Sequence, residues 1–206
     1  MFANGASALA DSMHFWNFVT DYGDSAVTLP LALVTLAILF ASGASRLLRA
    51  WLIAVGVCGV SVALLKIGLG CGADGPLGRP FSPSGHTAMS TLVYGGLTLI
   101  GVQGFARPWR IAAVAAVLAG VVVIGISRLL LHDHTVAEVA IGFLIGGASL
   151  GLLAWLSRGV EVRIDWHRLL AGALLVMVVM HGTRWPIEEA LHRVTAMIRI
   201  EIPSCK

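Results

Sequence analysis

The sequence predicts an all-α fold: a polytopic bundle of five to six transmembrane helices with interfacial helices at both chain ends. Composition is the first observation, since 57% of the 206 residues are hydrophobic, 12% are charged and the mean hydropathy is +0.87. A soluble domain carries about 25% charged residues, whereas side chains that face lipid have to be apolar. The second observation is that the apolar residues form segments, most of them close to the ~20 residues that cross a bilayer as a helix.

Six apolar segments, separated by short polar stretches, supply the predicted spans. The sixth segment is short and ends at His181, so it is either a span or a re-entrant or interfacial segment. The longest polar stretch, residues 66–85, is rich in Gly and Pro and is predicted to be an irregular loop. The six segments lie at residues 26–42, 50–69, 86–105, 110–127, 136–156 and 168–182.

The predicted organisation is one membrane core flanked by two accessory segments. Residues 1–25 are predicted to form an interfacial N-terminal segment, because aromatic and polar residues mix there. Residues 26–156 form the core. Residues 157–206 add the short sixth segment and an amphipathic helix over 186–200, where apolar residues recur at helical spacing behind Pro186.

The basic residues predict the orientation of the bundle. The loops after the first, third and fifth segments carry arginines, so the positive-inside rule places them in the cytoplasm and the loops 66–85 and 128–135 on the outer side. Together with the small size, this predicts a bacterial cytoplasmic (inner) membrane with a periplasmic site. No basic run is present, which argues against a nucleic-acid partner. The cytoplasmic arginines are Arg46, Arg49, Arg107, Arg110, Arg158, Arg163 and Arg168.

Five side chains on the predicted outer side carry or can carry a positive charge at the ends of apolar segments. Charged groups beside a span are costly and usually functional, although a single arginine there is more often an anchor that reaches to the headgroups. Five such groups on one side predict a site. They are Lys66, Arg79, His86, Arg128 and His134.

The segment Ser82-Pro83-Ser84-Gly85-His86 opens a predicted helix. Ser84 is a natural N-cap and Gly85 allows close approach to the backbone. Exposed N–H groups and the helix dipole make such a start an anion site, although a Ser-Gly pair by itself more often marks only a capped helix. His86 directly after Gly85 favours the anion site, because it adds a proton donor.

A second polar segment runs from Ser127 to Glu138. His134 and Glu138 are four residues apart and would face the same way on a helix that begins early. A carboxylate there can hold the imidazole in one tautomer, as in a nucleophile-orienting pair. Thr135 and Glu138 also fit a capping box, and both interpretations stay open. His132-Asp133-His134 is not interpreted as a metal site, because no further ligands complete a coordination sphere.

These residues resemble the type 2 phosphatidic acid phosphatase superfamily, which includes vanadium haloperoxidases. That family's signature combines a Lys before Arg-Pro, then Pro-Ser-Gly-His, then Ser-Arg with His six residues after the Arg and Asp four residues after that His. The second part is intact at 83–86, and the third matches at Ser127, Arg128 and His134, with Glu138 in place of Asp. The first part is altered, since twelve residues rather than six separate the Lys from Arg-Pro. The resemblance covers about residues 26–156.

The resemblance implies a lipid phosphatase that needs neither a metal nor another cofactor. His134 would attack phosphorus and become a phosphohistidine, Glu138 would orient it, and His86 would protonate the leaving alkoxide before water hydrolyses the intermediate. Lys66, Arg79, Ser84, Arg128 and the Gly85 amide would hold the phosphoryl oxygens.

Several substrates and two other functions fit the same residues. Undecaprenyl diphosphate, phosphatidylglycerophosphate, phosphatidate and lipid A phosphates are all candidate lipid substrates. A phosphohistidine can also pass its phosphoryl group to a second lipid, which would make the protein a phosphotransferase. The altered first motif fits a third alternative, a non-enzymatic lipid-binding or transport protein.

Overall fold

Helices make up most of the part of the chain that the structure describes, and they follow the six predicted apolar segments closely. The computed structural model describes residues 3–69, 80–160 and 164–185 and residues 189, 190, 193, 194 and 197, with side chains from residue 11 onward. The predicted all-α membrane helix bundle is confirmed. The helices are α1 Ala3–Asp21, α2 Ser25–Ala41, α3 Ser45–Leu69, α4 Gly85–Gly101, α5 Arg107–Leu130, α6 Val136–Leu156 and α7 Trp166–Met180.

Four helical stretches within the described residues are long and apolar enough to cross a membrane. They are Asp11–Ala41, which contains the turn between α1 and α2, Ser45–Leu69, Arg107–Leu130 and Val136–Leu156. The helices α4 and α7 have 17 and 15 residues, which correspond to about 26 Å and 22 Å at ~1.5 Å per residue. Membrane crossing by α7, and an interfacial position for α1, stay predictions. Most of the amphipathic helix predicted over 186–200 lies outside the described residues.

The short helix α4 lies at the centre of the bundle, where it packs against α2, α3, α5, α6 and α7. Its closest neighbour is α6, because two glycines on α6 let the backbones meet. A β-carbon on Gly142 would lie 2.6 Å from the carbonyl oxygen of Ser84, and one on Gly146 would collide with the backbone of Ala88. Small residues four apart are a usual device for close helix packing in membranes. This glycine seam, Gly142 and Gly146 against the start of α4, fixes the two helices on each other.

Three helices begin at the same end of the bundle, and side chains cap each of them. Asp24 accepts the Ala26 N–H at 2.7 Å at the start of α2, and Ser84 accepts the Thr87 N–H at 3.4 Å at the start of α4. Thr135 and Glu138 form a complete capping box on α6. The positive ends of three helix dipoles therefore point to this end of the bundle, which favours a bound anion there.

The opposite end of the bundle is occupied by arginines. Arg46 and Arg49 at the start of α3 and Arg158 after α6 line one cavity, which also contains Trp155. These arginines belong to the group that the sequence predicts to face the cytoplasm. The two ends of the bundle therefore differ: one collects exposed arginines, and the other collects His86, His134 and the capped starts of α2, α4 and α6.

Candidate active site

The start of α4 is built tightly around Ser84. This side chain is fully buried and accepts hydrogen bonds from the Thr87 backbone N–H at 3.4 Å and from the Thr87 hydroxyl at 3.0 Å. Gly85 and His86 form the first turn of the helix, and the His86 side chain is 13% exposed. The predicted capped start is therefore present, and it places His86 beside the first amides of α4.

His134 and Glu138 form a buried pair one helical turn apart. The Nδ1 atom of His134 lies 3.3 Å from Oε2 of Glu138, and both side chains are at most 3% exposed. The same Oε2 accepts the Thr135 N–H at 2.8 Å. Glu138 therefore makes the capping-box contact and the histidine contact together, so the two interpretations of its spacing are compatible.

Glu138 also joins the segment that begins at Ser82 to the segment that begins at Ser127. Its Oε1 atom accepts the Ser82 N–H at 2.7 Å, and its backbone carbonyl accepts the Ser84 N–H at 3.1 Å. A buried carboxylate that accepts several N–H groups is well satisfied and held in one position. The segment that contains His86 and the segment that contains His134 therefore lie against each other at one end of the bundle.

Two buried cations lie at the ends of α3 and α5. Lys66 is in the last turn of α3 and Arg128 in the last turn of α5, at 6% and 7% exposure. The Nη1 atom of Arg128 lies 3.0 Å from Oδ2 of Asp133 and donates to the Thr20 hydroxyl at 2.9 Å. Cations at helix C-termini complement the helix dipole, so this end of the bundle holds positive groups at low cost.

A cavity of about 600 Å³ opens between these residues. Lys66, Gly85, His86 and Arg128 line its polar end together with Asp133. Ser84 and His134 do not line it, but each is the chain neighbour of a lining residue. The structure thus brings all the predicted site residues together except Arg79, which lies outside the described residues.

Asp24 is a site residue that the sequence analysis did not single out. Its Oδ2 atom lies 3.4 Å from Nε2 of His86, and it also lines the cavity. An Asp directly before an apolar run is a helix-start signal, and Asp24 is indeed the N-cap of α2. That local signal carries no information about a partner 62 positions further along the chain.

The comparison with known families agrees with this geometry. Residues 63–160 match the family model described as PAP2 superfamily. This segment of the chain is similar to the PAP2 superfamily. The similarity supports a phosphatase-type function. The matched PAP2 segment contains Lys66, Ser84, His86, Arg128 and the His134–Glu138 pair, so it supplies both sides of the site.

One curated relative is similar along nearly the whole chain. An uncharacterized 22.5 kDa protein in the cps region of Klebsiella pneumoniae is 28% identical over 192 residues, which cover 89% of this chain and 91% of that protein. No solved structure matches the chain significantly. The similarity to the relative extends beyond the PAP2 segment on both sides.

Residues outside the PAP2 segment close the rest of the cavity. The Arg184 guanidinium, which follows α7, donates from Nε and Nη2 to Oδ1 of Asp21 at 3.2 and 3.1 Å. The Trp185 N–H lies 3.5 Å from Oδ1 of Asp24. Both Arg184 and Trp185 line the cavity. The N-terminal segment and the chain after α7 therefore meet at its wall, although the sequence analysis gave the final fifty residues no functional role.

Proposed function

We propose that this chain is an integral membrane lipid phosphatase that hydrolyses a lipid phosphate or diphosphate through a phosphohistidine intermediate. The observation that carries the proposal is the buried His134–Glu138 pair, in which Glu138 accepts the Ser82 N–H just before α4 and His134 donates its N–H to the Arg128 carbonyl oxygen. Lys66 and Arg128 line the adjoining cavity. The similarity of residues 63–160 to the PAP2 superfamily supports the phosphatase-type activity. The capped helix starts at the same end favour an anionic substrate.

The first chemical step transfers the phosphoryl group to His134. Glu138 accepts a hydrogen bond from Nδ1–H, which places the lone pair on Nε2. Nε2 attacks phosphorus, the P–N bond forms and the bond from phosphorus to the leaving oxygen breaks. His86 gives that oxygen a proton, and general acid catalysis of this kind contributes roughly 10²–10⁴-fold. Water then attacks phosphorus, the P–N bond breaks and inorganic phosphate leaves.

The cations and amides stabilise the charge that spreads over the equatorial phosphoryl oxygens. Arg128 can contact two oxygens at once, while Lys66 acts as a point charge. The Gly85 amide and the Ser84 hydroxyl contribute donors at the positive end of α4, and Arg79 completes the proposed set. An incoming phosphate competes with the Asp133 carboxylate for Arg128, which pairs with that carboxylate at 3.0 Å in the structure.

The shape of the cavity supports a lipid substrate. From its polar end it extends along α2 and α3, where Leu29, Val55, Gly59 and Val62 line it. An apolar slot between two membrane helices suits a hydrocarbon chain, while the headgroup stays with the cations. Undecaprenyl diphosphate, phosphatidylglycerophosphate and phosphatidate all have this form. The arginines at the opposite end support a site that faces the periplasmic side of a bacterial cytoplasmic membrane.

Replacing Gly59 with phenylalanine is expected to weaken lipid hydrolysis selectively. No atom lies within 4 Å of a β-carbon at Gly59 or at Gly56, but only Gly59 lines the cavity. The ring of Gly59→Phe would occupy the apolar slot and should lower kcat/KM for a long-chain lipid phosphate by about 10- to 100-fold, the range for one blocked apolar contact. Kinetics on the water-soluble p-nitrophenyl phosphate should stay at the wild-type value.

Gly56→Phe is the matched control for this substitution, because it adds the same ring to the same helix away from the cavity. It should leave both substrates unaffected. Equal effects of the two variants on the lipid substrate would argue against a hydrocarbon slot between α2 and α3.

Glu138→Gln is expected to lower turnover while leaving the apparent affinity for substrate nearly unchanged. The amide has one acceptor oxygen where the carboxylate has two, so it keeps one of the contacts from the Ser82 and Thr135 N–H groups. It also loses the charge that pairs with His134, so the loss should appear in kcat. Steady-state kinetics and thermal unfolding of the same preparation measure both effects. A variant with wild-type kcat and a lower Tm would leave Glu138 with its capping role alone.

The proposed function is tested by phosphate release from a panel of lipid phosphates and diphosphates by the purified protein. Release that is unaffected by strong chelation supports the metal-independent mechanism. A labelled lipid diphosphate separates hydrolysis from transfer, since the label ends in inorganic phosphate in one case and in a second lipid in the other. Absence of any phosphate release across the panel would instead support a lipid-binding protein.

A further inference from the structure

We propose that Asp24 is a positioning residue that holds the His86 imidazole for proton delivery to the leaving group. The inference rests on the proposed phosphatase function. It concerns a residue of the N-terminal segment, well before the PAP2 segment at 63–160. In this arrangement the site contains two histidines, and a carboxylate from a different helix start holds each of them.

The Asp24 carboxylate is fixed by its own helix. Its Oδ1 atom accepts the Ala26 N–H at 2.7 Å, and its backbone carbonyl accepts the Thr28 hydroxyl at 3.0 Å. The second carboxylate oxygen, Oδ2, is then the one that faces Nε2 of His86 at 3.4 Å. Because α2 holds Oδ1, the position of Oδ2 is set by the backbone, and it can restrain the ring of His86.

The surroundings of His86 explain why a carboxylate is needed there. His86 is in the first turn of α4, next to the positive end of that helix dipole, and it lines the same cavity as Lys66 and Arg128. A negative charge beside the ring balances these positive groups. Asp24 is an anion within 3.4 Å of the ring, and its side chain is only 10% exposed, so solvent screens the pair weakly.

The proton path follows from which nitrogen Asp24 holds. Nε2–H stays with the Asp24 carboxylate, and the proton on the other ring nitrogen passes to the oxygen that leaves phosphorus. The neutral imidazole that results keeps Nε2–H bonded to Asp24, so the ring does not have to turn before it accepts a proton from the water of the second step. The two histidines are held by different ring nitrogens: Glu138 contacts Nδ1 of His134, whereas Asp24 contacts Nε2 of His86.

Asp24→Asn separates this role from helix capping, because Asn caps helix starts as well as Asp does. We expect the variant to fold, and to lose about 10- to 100-fold in kcat on an alkyl lipid phosphate, part of the ~10²–10⁴ that a positioned general acid contributes. On p-nitrophenyl phosphate, whose leaving group needs little protonation, the loss should be small. Asp24→Ser also preserves a cap but is too short to reach His86, and it should behave in the same way.

The matched control is Asp165→Asn. Asp165 is the N-cap of α7, accepts the His167 N–H at 3.0 Å and lies 3.3 Å from the His167 ring, but it is exposed and does not line the cavity. This variant should keep wild-type kcat on both substrates. Thermal unfolding of all variants identifies any loss that is merely structural.

A double mutant provides the decisive measurement. If Asp24 acts through His86, His86→Ala combined with Asp24→Asn should be about as slow as His86→Ala alone, since effects of coupled residues do not add. Fully additive losses, equal losses on both substrates, or wild-type kcat in Asp24→Asn would each overturn the inference. If wild-type protein releases phosphate from no lipid and forms no acid-labile phosphoenzyme, the proposed function itself fails. An active wild type with a fully active Asp24→Asn rejects only the role of Asp24.

Discussion

His134→Ala is expected to reduce phosphate release from a lipid phosphate on the order of 10⁴-fold or more, because it removes the nucleophile of a covalent mechanism. The other imidazole of the site, His86, serves in the proposed mechanism as the acid that protonates the leaving oxygen. Binding should be affected much less than turnover, because the cations at Lys66 and Arg128 are left in place. Rapid acid-free quenching with ³²P-labelled substrate should show label on wild-type protein and none on the variant.

The control for this prediction is His167→Ala. His167 also lies 3.3 Å from an aspartate, but it is 71% exposed and at the other end of the bundle. The substitution should leave both phosphate release and protein labelling unchanged. Wild-type turnover in His134→Ala, or a label that is stable in acid as a phosphoserine would be, would rule out His134 as the nucleophile.

The second large effect is expected at the glycine seam. A side chain at Gly142 has to displace the Ser84 carbonyl oxygen, which lies 2.6 Å from the β-carbon position, and the Thr87 side chain at 3.0 Å. Gly142→Val should therefore destabilise the bundle by about 1–3 kcal/mol or more, as overpacked sites do. It should also lower activity strongly, because the displaced Ser84 donates its N–H to the backbone carbonyl of Glu138.

Gly147→Val tests whether this loss comes from the seam. Gly147 is on the same helix with no atom within 4 Å of its β-carbon position, so valine there carries the same helix-propensity cost and meets only open space. Thermal unfolding in detergent and phosphate release should place Gly147→Val near wild type and Gly142→Val far below it. Similar Tm values for the two variants would mean that α4 and α6 separate easily, against the packing described.

The helix caps and the membrane helices could be predicted from the sequence because they depend on residues that are close together in the chain. Ser84 before Gly85 and Thr135 before Glu138 are capping patterns. Their hydrogen bonds join residues three positions apart, so a short stretch of sequence predicts them. Apolar length likewise predicts membrane helices. The contact between Asp24 and His86 is different, because nothing near either residue encodes which partner the fold brings to it.

The central position of α4, like the contact between Asp24 and His86, could not be predicted from the sequence. All of the spans are apolar, since lipid and protein interior make the same demand on a side chain, so hydropathy does not say which helix is surrounded by the others. The spacing of Gly142 and Gly146 indicates close helix packing on α6, but it does not show which helix packs there. The contacts of these glycines with Ser84 and Ala88 identify that helix as α4.

Arg184 and Trp185 have a consequence for biosynthesis. They follow α7, yet they touch Asp21 and Asp24 at the start of the bundle. The PAP2 segment is synthesised before these residues, because both follow its last residue. The side of the cavity that Arg184 and Trp185 line can therefore form only after α7 and the residues behind it have been made.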